Sequence, residues 1–133
     1  MAAGVDQLAT IALVDDDRGF REALEGLILS HGYRVWAFAS ARAFLVSTER
    51  SKVDCIILDA RMPGMSGLEL QARLNQEGVS TPIIFLTSYA DPVMKRQALD
   101  EGAMGFFGKP VDHMALLECI RLCLARGRGP SRA

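Results

Sequence analysis

The sequence predicts a single α/β domain in which a doubly wound, five-stranded parallel sheet is covered by helices on both faces. Three observations predict it. Short apolar runs alternate five times with amphipathic stretches; the runs are too uniformly apolar to have a wet face; and the chemistry-bearing polar residues gather directly after the runs. Strands apolar on both sides need cover on both sides, which right-handed β–α crossovers supply. At 133 residues the chain is long enough for one hydrophobic core and too short for two.

Each element follows from its residues. Thr10-Ile11-Ala12-Leu13-Val14 reads as a buried strand, after which Phe20, Leu24, Leu27 and Ile28 recur at helical spacing until His31-Gly32 ends the helix. Residues 33–37 read as the second strand, and Ser40 caps a helix running to about Arg50. Residues 54–58 form the third strand. Ser66-Gly67-Leu68-Glu69 then has the form of a capping box opening a helix with Leu70 and Leu74 inward. Residues 82–86 are the fourth strand, and Asp91-Pro92 sets a capping carboxylate before a proline at the first helical position. Gly102 closes that helix, Gly105-Phe106-Phe107 is a short fifth strand, and the last helix covers 112–125 with Leu116, Ile120 and Cys123 toward the core. The domain is therefore expected over 8–125, with 1–7 and 126–133 as flexible termini or linker.

Composition narrows the function classes. Half of the residues are apolar and the net charge is −1, so the chain has no general attraction for nucleic acid or anionic lipid. No apolar run approaches the ~18 residues of a membrane span, and 1–7 lacks the regions of a signal peptide, so no membrane association and a cytoplasmic location are expected. The three cysteines, Cys55, Cys119 and Cys123, read as small buried hydrophobes in a reducing compartment.

In open parallel sheets, ligands bind beyond the carboxyl ends of the strands. After the first strand stand Asp15, Asp16 and Asp17; after the third, Asp59; after the fourth, Thr87 and Ser88; after the fifth, Lys109. Carboxylates from two neighbouring strand ends repel unless a cation joins them, and a hard divalent ion such as Mg²⁺ takes one or two carboxylates plus phosphate oxygens. One of the three acids, Asp17 by position, caps the next helix instead. An isolated aspartate after a strand is commonly a turn former, and an isolated lysine is commonly a solvated surface group. Their joint placement argues for more: a lysine is a compact cation suited to a phosphate oxygen, and Thr87 offers a hydroxyl donor.

These residues resemble the receiver domain of bacterial two-component response regulators, the CheY-like family, over about residues 8–125. The likeness rests on Val14-Asp15-Asp16, Asp59 followed by Met62-Pro63, Thr87-Ser88 and Lys109-Pro110, with Arg21 supporting the register. It implies the flavodoxin-like strand order 2-1-3-4-5 and Asp59 as phospho-acceptor. It implies Mg²⁺ or Mn²⁺ held by Asp15, Asp16, Asp59 and the Arg61 backbone carbonyl, with Thr87, Ser88 and Lys109 around the phosphoryl group. Thr87 and Phe106 match the family's switch pair, Phe106 replacing the tyrosine of many relatives. Arg61 and Tyr89 fall at variable positions that influence phosphoryl lifetime. The stretches 61–67 and 102–110 look most like receivers of LuxR-type helix-turn-helix regulators. Implied partners are a histidine kinase or phosphotransfer protein and a second copy meeting the face made by the fourth helix, fifth strand and fifth helix. The implied role is signalling, in which the domain promotes its own phosphorylation and dephosphorylation, rather than metabolic catalysis.

Rival readings fit less well. A haloacid-dehalogenase-like phosphohydrolase also uses Asp, Thr or Ser, and Lys, but no late acidic pair follows Lys109 and no capping domain fits this length. A flavodoxin-like cofactor binder would need a Ser/Thr/Gly-rich loop where three aspartates stand. A docking module that is never phosphorylated has no need of the acceptor and lysine together.

Overall fold

The computed structural model describes residues 8–89 and 91–127. Its elements are β1 (Thr10–Val14), α1 (Arg18–Ser30), β2 (Arg34–Phe38), α2 (Ala41–Val46), a 3₁₀ turn (Arg50–Lys52), β3 (Cys55–Asp59), α3 (Gly67–Gln76), β4 (Ile83–Thr87), α4 (Pro92–Asp100), β5 (Gly105–Gly108) and α5 (His113–Gly127). The five strands are parallel in the order β2-β1-β3-β4-β5, the doubly wound α/β arrangement expected.

Alternation along the strands divides the core in two. Ala12, Val14, Ile56, Leu58 and Phe85 pack against Ala41 and Phe44 of α2, Leu70 and Leu74 of α3 and Ala98 of α4. Ile11, Leu13, Cys55, Ile57 and Leu86 pack on the opposite face against Leu24 and Ile28 of α1 and Leu116, Ile120 and Cys123 of α5. β1, β3 and β4 are buried at every position, which accounts for their lack of polar alternation.

Caps set where the helices begin. Asp17 accepts from the Phe20 amide at 3.1 Å and Ser40 from the Ala43 amide at 3.0 Å. Ser66 and Glu69 form the reciprocal capping box, and Asp91 accepts from Val93 with Pro92 at the helix start. Gly32 and Gly102 end α1 and α4 at φ of 89° and 105°, a region costly for any side chain.

Several expected boundaries move. β2, β3 and β4 each begin one residue later than expected and take in Phe38, Asp59 and Thr87. α2 stops at Val46 rather than near Arg50: Ser47 is extended (φ −73°, ψ 136°) and its hydroxyl accepts from the Glu49 amide at 3.0 Å. A serine bonding its local backbone competes with helix continuation. α5 runs on to Gly127, beyond the 8–125 domain limit, while the expected flexible segments 1–7 and 128–133 lie outside the described residues. The cysteines are free; Cys55 and Cys123 are buried and Cys119 half-buried. The Cys123 thiol is pushed up to about 12: its bond with Cys119 pulls down, but Cys55 and burial outweigh it. Such a thiol stays protonated and packs as a hydrophobe.

Candidate functional site

Strand register brings the acids together. Val14 is paired with Leu58, so the next residues, Asp15 and Asp59, end neighbouring strands side by side. Both share the alternation of residues facing α1 and α5, as does Lys109, two residues past Phe107. Accordingly the Lys109 Nζ donates to Asp15 Oδ2 at 2.7 Å and lies 3.4 Å from Asp59 Oδ2. Asp15 is 1% exposed and Asp59 6%, whereas Asp16 is exposed. One carboxylate oxygen from each of the three lies within 4.8 Å of the others.

Backbone bonds hold these groups in place. Asp15 Oδ1 accepts from the Asp17 amide at 2.8 Å, and Arg21 Nη1 donates to the Asp15 carbonyl at 2.7 Å. Asp59 Oδ1 accepts from the Arg61 amide at 3.0 Å. Gly67 presses on the end of β3: a Cβ there would fall 2.2 Å from the Asp59 carbonyl oxygen. Its amide donates to the Ala60 carbonyl at 3.0 Å. Only a residue without a side chain allows the loop after Asp59 to close so tightly.

The electrostatics are unbalanced. Burial raises the Asp59 pKa above the ordinary carboxylate value; the Arg61 amide opposes this, and the Asp15 charge adds to it. For Lys109 burial works against the charge, but the bond to Asp15 and the charges of Asp15 and Asp59 prevail, so its pKa is raised. The ammonium thus meets Asp15 and Asp59, while Asp16 adds a third carboxylate to the cluster. An all-oxygen donor set with surplus negative charge fits a hard divalent ion such as Mg²⁺ or Mn²⁺.

Thr87 and Phe106 lie on the other face of the sheet. Phe85 is paired with Phe106 and Thr87 with Gly108, so both switch candidates face the α2–α4 side. Thr87 is buried, and its Oγ1 accepts from the Tyr89 amide at 3.3 Å. Phe106 is half-buried, its ring centroid 6.0 Å from that of Phe85. Ser88 is exposed at the rim. The Arg61 guanidinium stacks 5.1 Å from the centroid of the Tyr89 ring, joining the loops after β3 and β4. The residues named from sequence therefore gather at one rim, with the switch pair set apart by strand alternation.

Three contacts were not foreseen. Phe20, read only as a core position, lies 4.1 Å by ring centroid from the Lys109 ammonium. Gly67, read only within a capping box, buttresses Asp59. Arg61 and Tyr89, read separately, are stacked. The available signal for Phe20 was its place three residues after the capping Asp17, which fixes the start of α1; nothing local marks the other two.

A doubly wound sheet whose carboxyl rim pairs a carboxylate cluster with a half-buried lysine defines an α/β domain with a rim that could hold a metal ion. A model of the response regulator receiver domain matches residues 11–121. The chain belongs to the response regulator receiver family and is a receiver domain of two-component signal transduction. It is 44% identical over 119 residues to the response regulator protein TmoT of Ectopseudomonas mendocina, a match covering 90% of this chain and 54% of that one. It is 37% identical over 122 residues to the transcriptional regulatory protein FixJ of Azorhizobium caulinodans, covering 92% and 58% respectively. The structure of response regulator StyR superimposes with a TM-score of 0.81 at 40% identity, over 88% of this chain and 59% of that one. The chain thus spans little more than half the length of these relatives. Receivers of this family partner with histidine kinases. Among the described residues, no helix is long and apolar enough to cross a membrane.

Proposed function

We propose that Asp59 accepts a phosphoryl group from the phosphohistidine of a partner histidine kinase or phosphotransfer protein. The Asp59 carboxylate attacks phosphorus in line; the new O–P bond forms as the P–N bond breaks, and the histidine nitrogen leaves with the bonding pair. Asp15, Asp16, Asp59 and the Arg61 carbonyl would hold Mg²⁺ or Mn²⁺, which when bound supplies neutralisation of the transferring oxygens. Lys109 moves its charge from Asp15 toward the phosphoryl oxygens, and the Thr87 hydroxyl donates to another. Ser88 is small enough to leave the donor an approach. The same groups promote the later hydrolysis, so the domain acts on its own phosphorylation state and does not turn over a metabolite.

Phosphorylation then draws Thr87 toward the rim and vacates space for Phe106 to turn inward, favouring a second arrangement of α4, β5 and α5. A second copy of the chain, meeting that face, reads the change. In the cytoplasm the readout governs a transcriptional output region, of the LuxR helix-turn-helix type, outside these residues. This receiver itself does not bind nucleic acid, which its net charge of −1 would not favour.

The observation that carries the reading is the Lys109 ammonium lying within reach of both Asp15 and Asp59. Intact mass measurement after incubation with Mg²⁺ and acetyl phosphate tests it. A phosphate adduct on the wild type that is absent from Asp59→Asn is expected; no adduct from acetyl phosphate or from candidate kinases would overturn it.

A further inference from the structure

We infer that Phe20 is a positioning residue for Lys109, its ring face giving the ammonium a neutral resting place from which to exchange anionic partners. The inference rests on the reading of Asp59 as acceptor and deepens it.

The Lys109 side chain is 12% exposed, and its Nζ has three near partners: Asp15 Oδ2 at 2.7 Å, Asp59 Oδ2 at 3.4 Å and the Phe20 ring at 4.1 Å from its centroid. Two are carboxylates that bind in fixed directions. If Lys109 kept only those, it would remain locked to Asp15, the shorter contact, when the acceptor needs it. An aromatic face attracts a cation through its quadrupole, over a broad area and without a directional bond. It therefore favours the ammonium in a largely dry place while leaving it free to turn between oxygens. A carboxylate in this position would trap the lysine, and an aliphatic side chain would not attract it.

The chain builds this contact locally. Asp17 caps α1 by accepting from the Phe20 amide at 3.1 Å, so the acidic run that ends β1 also sets where the ring stands. Phe20 packs against the α1–α5 core as well. Packing alone is the rival account, and leucine would satisfy it.

The test separates ring face from bulk. In the full chain, Phe20 is replaced by 4-fluoro- and 3,4,5-trifluorophenylalanine, which keep the ring's shape and drain its face, and by leucine. Two quantities are read: the rate of adduct formation with acetyl phosphate at saturating Mg²⁺, and the exchange of the Lys109 ammonium protons with water by ¹⁵N NMR. The rate is expected to fall progressively with fluorination and about fivefold in Phe20→Leu, and ammonium exchange to quicken in the same order. In a Lys109→Met background, fluorination should leave the residual rate unchanged. Equal rates and exchange across the fluorinated series, or an equal fall in Lys109→Met, would overturn the inference and leave Phe20 as core packing. Should the leucine variant misfold, the fluorinated pair still decides. If the wild type forms no adduct, the acceptor reading fails, and the ammonium exchange alone settles whether the ring holds the lysine.

Discussion

The two ends of the sheet both fix polar groups by hydrogen bonds and balance them differently. Where the strands begin, the Asp54 carboxylate accepts from the Thr10 amide at 2.8 Å, buried Gln71 donates to the Ala98 carbonyl at 2.9 Å, and Asn75 donates to the Glu101 carbonyl at 2.9 Å. Every one of these groups meets a neutral backbone partner. Where the strands end, Asp15 and Asp59 share one ammonium, and Asp16 adds a third carboxylate beside them. Counting hydrogen bonds does not separate the two, because among the described residues no buried side-chain nitrogen or oxygen lacks a partner. Charge does. Polar groups closed by neutral partners tie elements together, whereas a surplus of like charge held by the fold is strain that a bound cation would relieve.

The largest effect should come from disturbing the backbone beneath that surplus. Gly67→Ala puts a Cβ 2.2 Å from the Asp59 carbonyl oxygen, and the obstacle is main chain that cannot swing aside. We expect a loss of about 3 kcal/mol in chemical denaturation, together with much slower adduct formation. Gly26→Ala in α1, where a new Cβ meets nothing within 4 Å, should instead raise stability by about 0.5–1 kcal/mol and leave phosphorylation alone. Equal behaviour of the two alanines would break the argument that β3 is wedged in place at Asp59.

Next in size are two aspartates of opposite sign. Asp54→Ala removes the acceptor of the Thr10 amide and should cost about 1–2 kcal/mol. Asp59→Asn, without divalent ions, should raise the melting temperature by a few degrees at neutral pH. Burial and Asp15 raise the Asp59 pKa in the folded state, so folding favours the protonated form. Its favourable contribution is complete below the unfolded value and is lost as pH rises through the folded one; at neutral pH the ionised Asp59 weakens the fold. The advantage of Asp59→Asn over wild type should therefore shrink as pH falls into the acid range. Mg²⁺ should raise the wild-type melting temperature and do so far less in Asp59→Asn. Lys109, raised by its carboxylates, stabilises the protein until pH climbs through its folded pKa, so the alkaline limb of wild-type stability should be blunted in Lys109→Met. Melting curves from pH 4 to beyond the ordinary lysine value of 10.5 check these signs.

How much of this was legible follows from the range of each signal. The apolar runs of β1, β3 and β4 and the caps at Asp17, Ser40, Ser66 and Asp91 are written in adjacent residues, so the elements could be read directly. The gathering of Asp15, Asp59 and Lys109 was readable because parallel strands all end at one rim, which turns chain order into proximity. The early stop of α2 was not, since Ser47 is acceptable in a helix until its hydroxyl takes the Glu49 amide. Nor was the wedge at Gly67, which depends on how the loop after Asp59 folds back. The Phe20 ring is visible in sequence only as one apolar position among four, and the lysine it meets lies 89 residues further on, by the numbering of the two residues.

The smallest effect sharpens the comparison at its outer lip. Arg61 and Tyr89 come from the loops following β3 and β4 and stack at 5.1 Å beside the acidic rim, with Tyr89 68% exposed. An exposed cation–π pair contributes about 0.5–1 kcal/mol, too little to matter for the fold but enough to bias a lid. With Asp59 phosphorylated as proposed, the contact that keeps the two loops together would narrow the path by which water reaches the acyl phosphate. Tyr89→Ala and Arg61→Ala should each shorten the life of the phosphoryl group about threefold, measured by intact mass after the donor is removed. The double variant should lose no more than either single one, because each alone already breaks the stack. Melting temperatures should fall by no more than a few degrees in any of the variants. Additive losses would mean that the two side chains act on the phosphoryl group separately and that the rim has no lid.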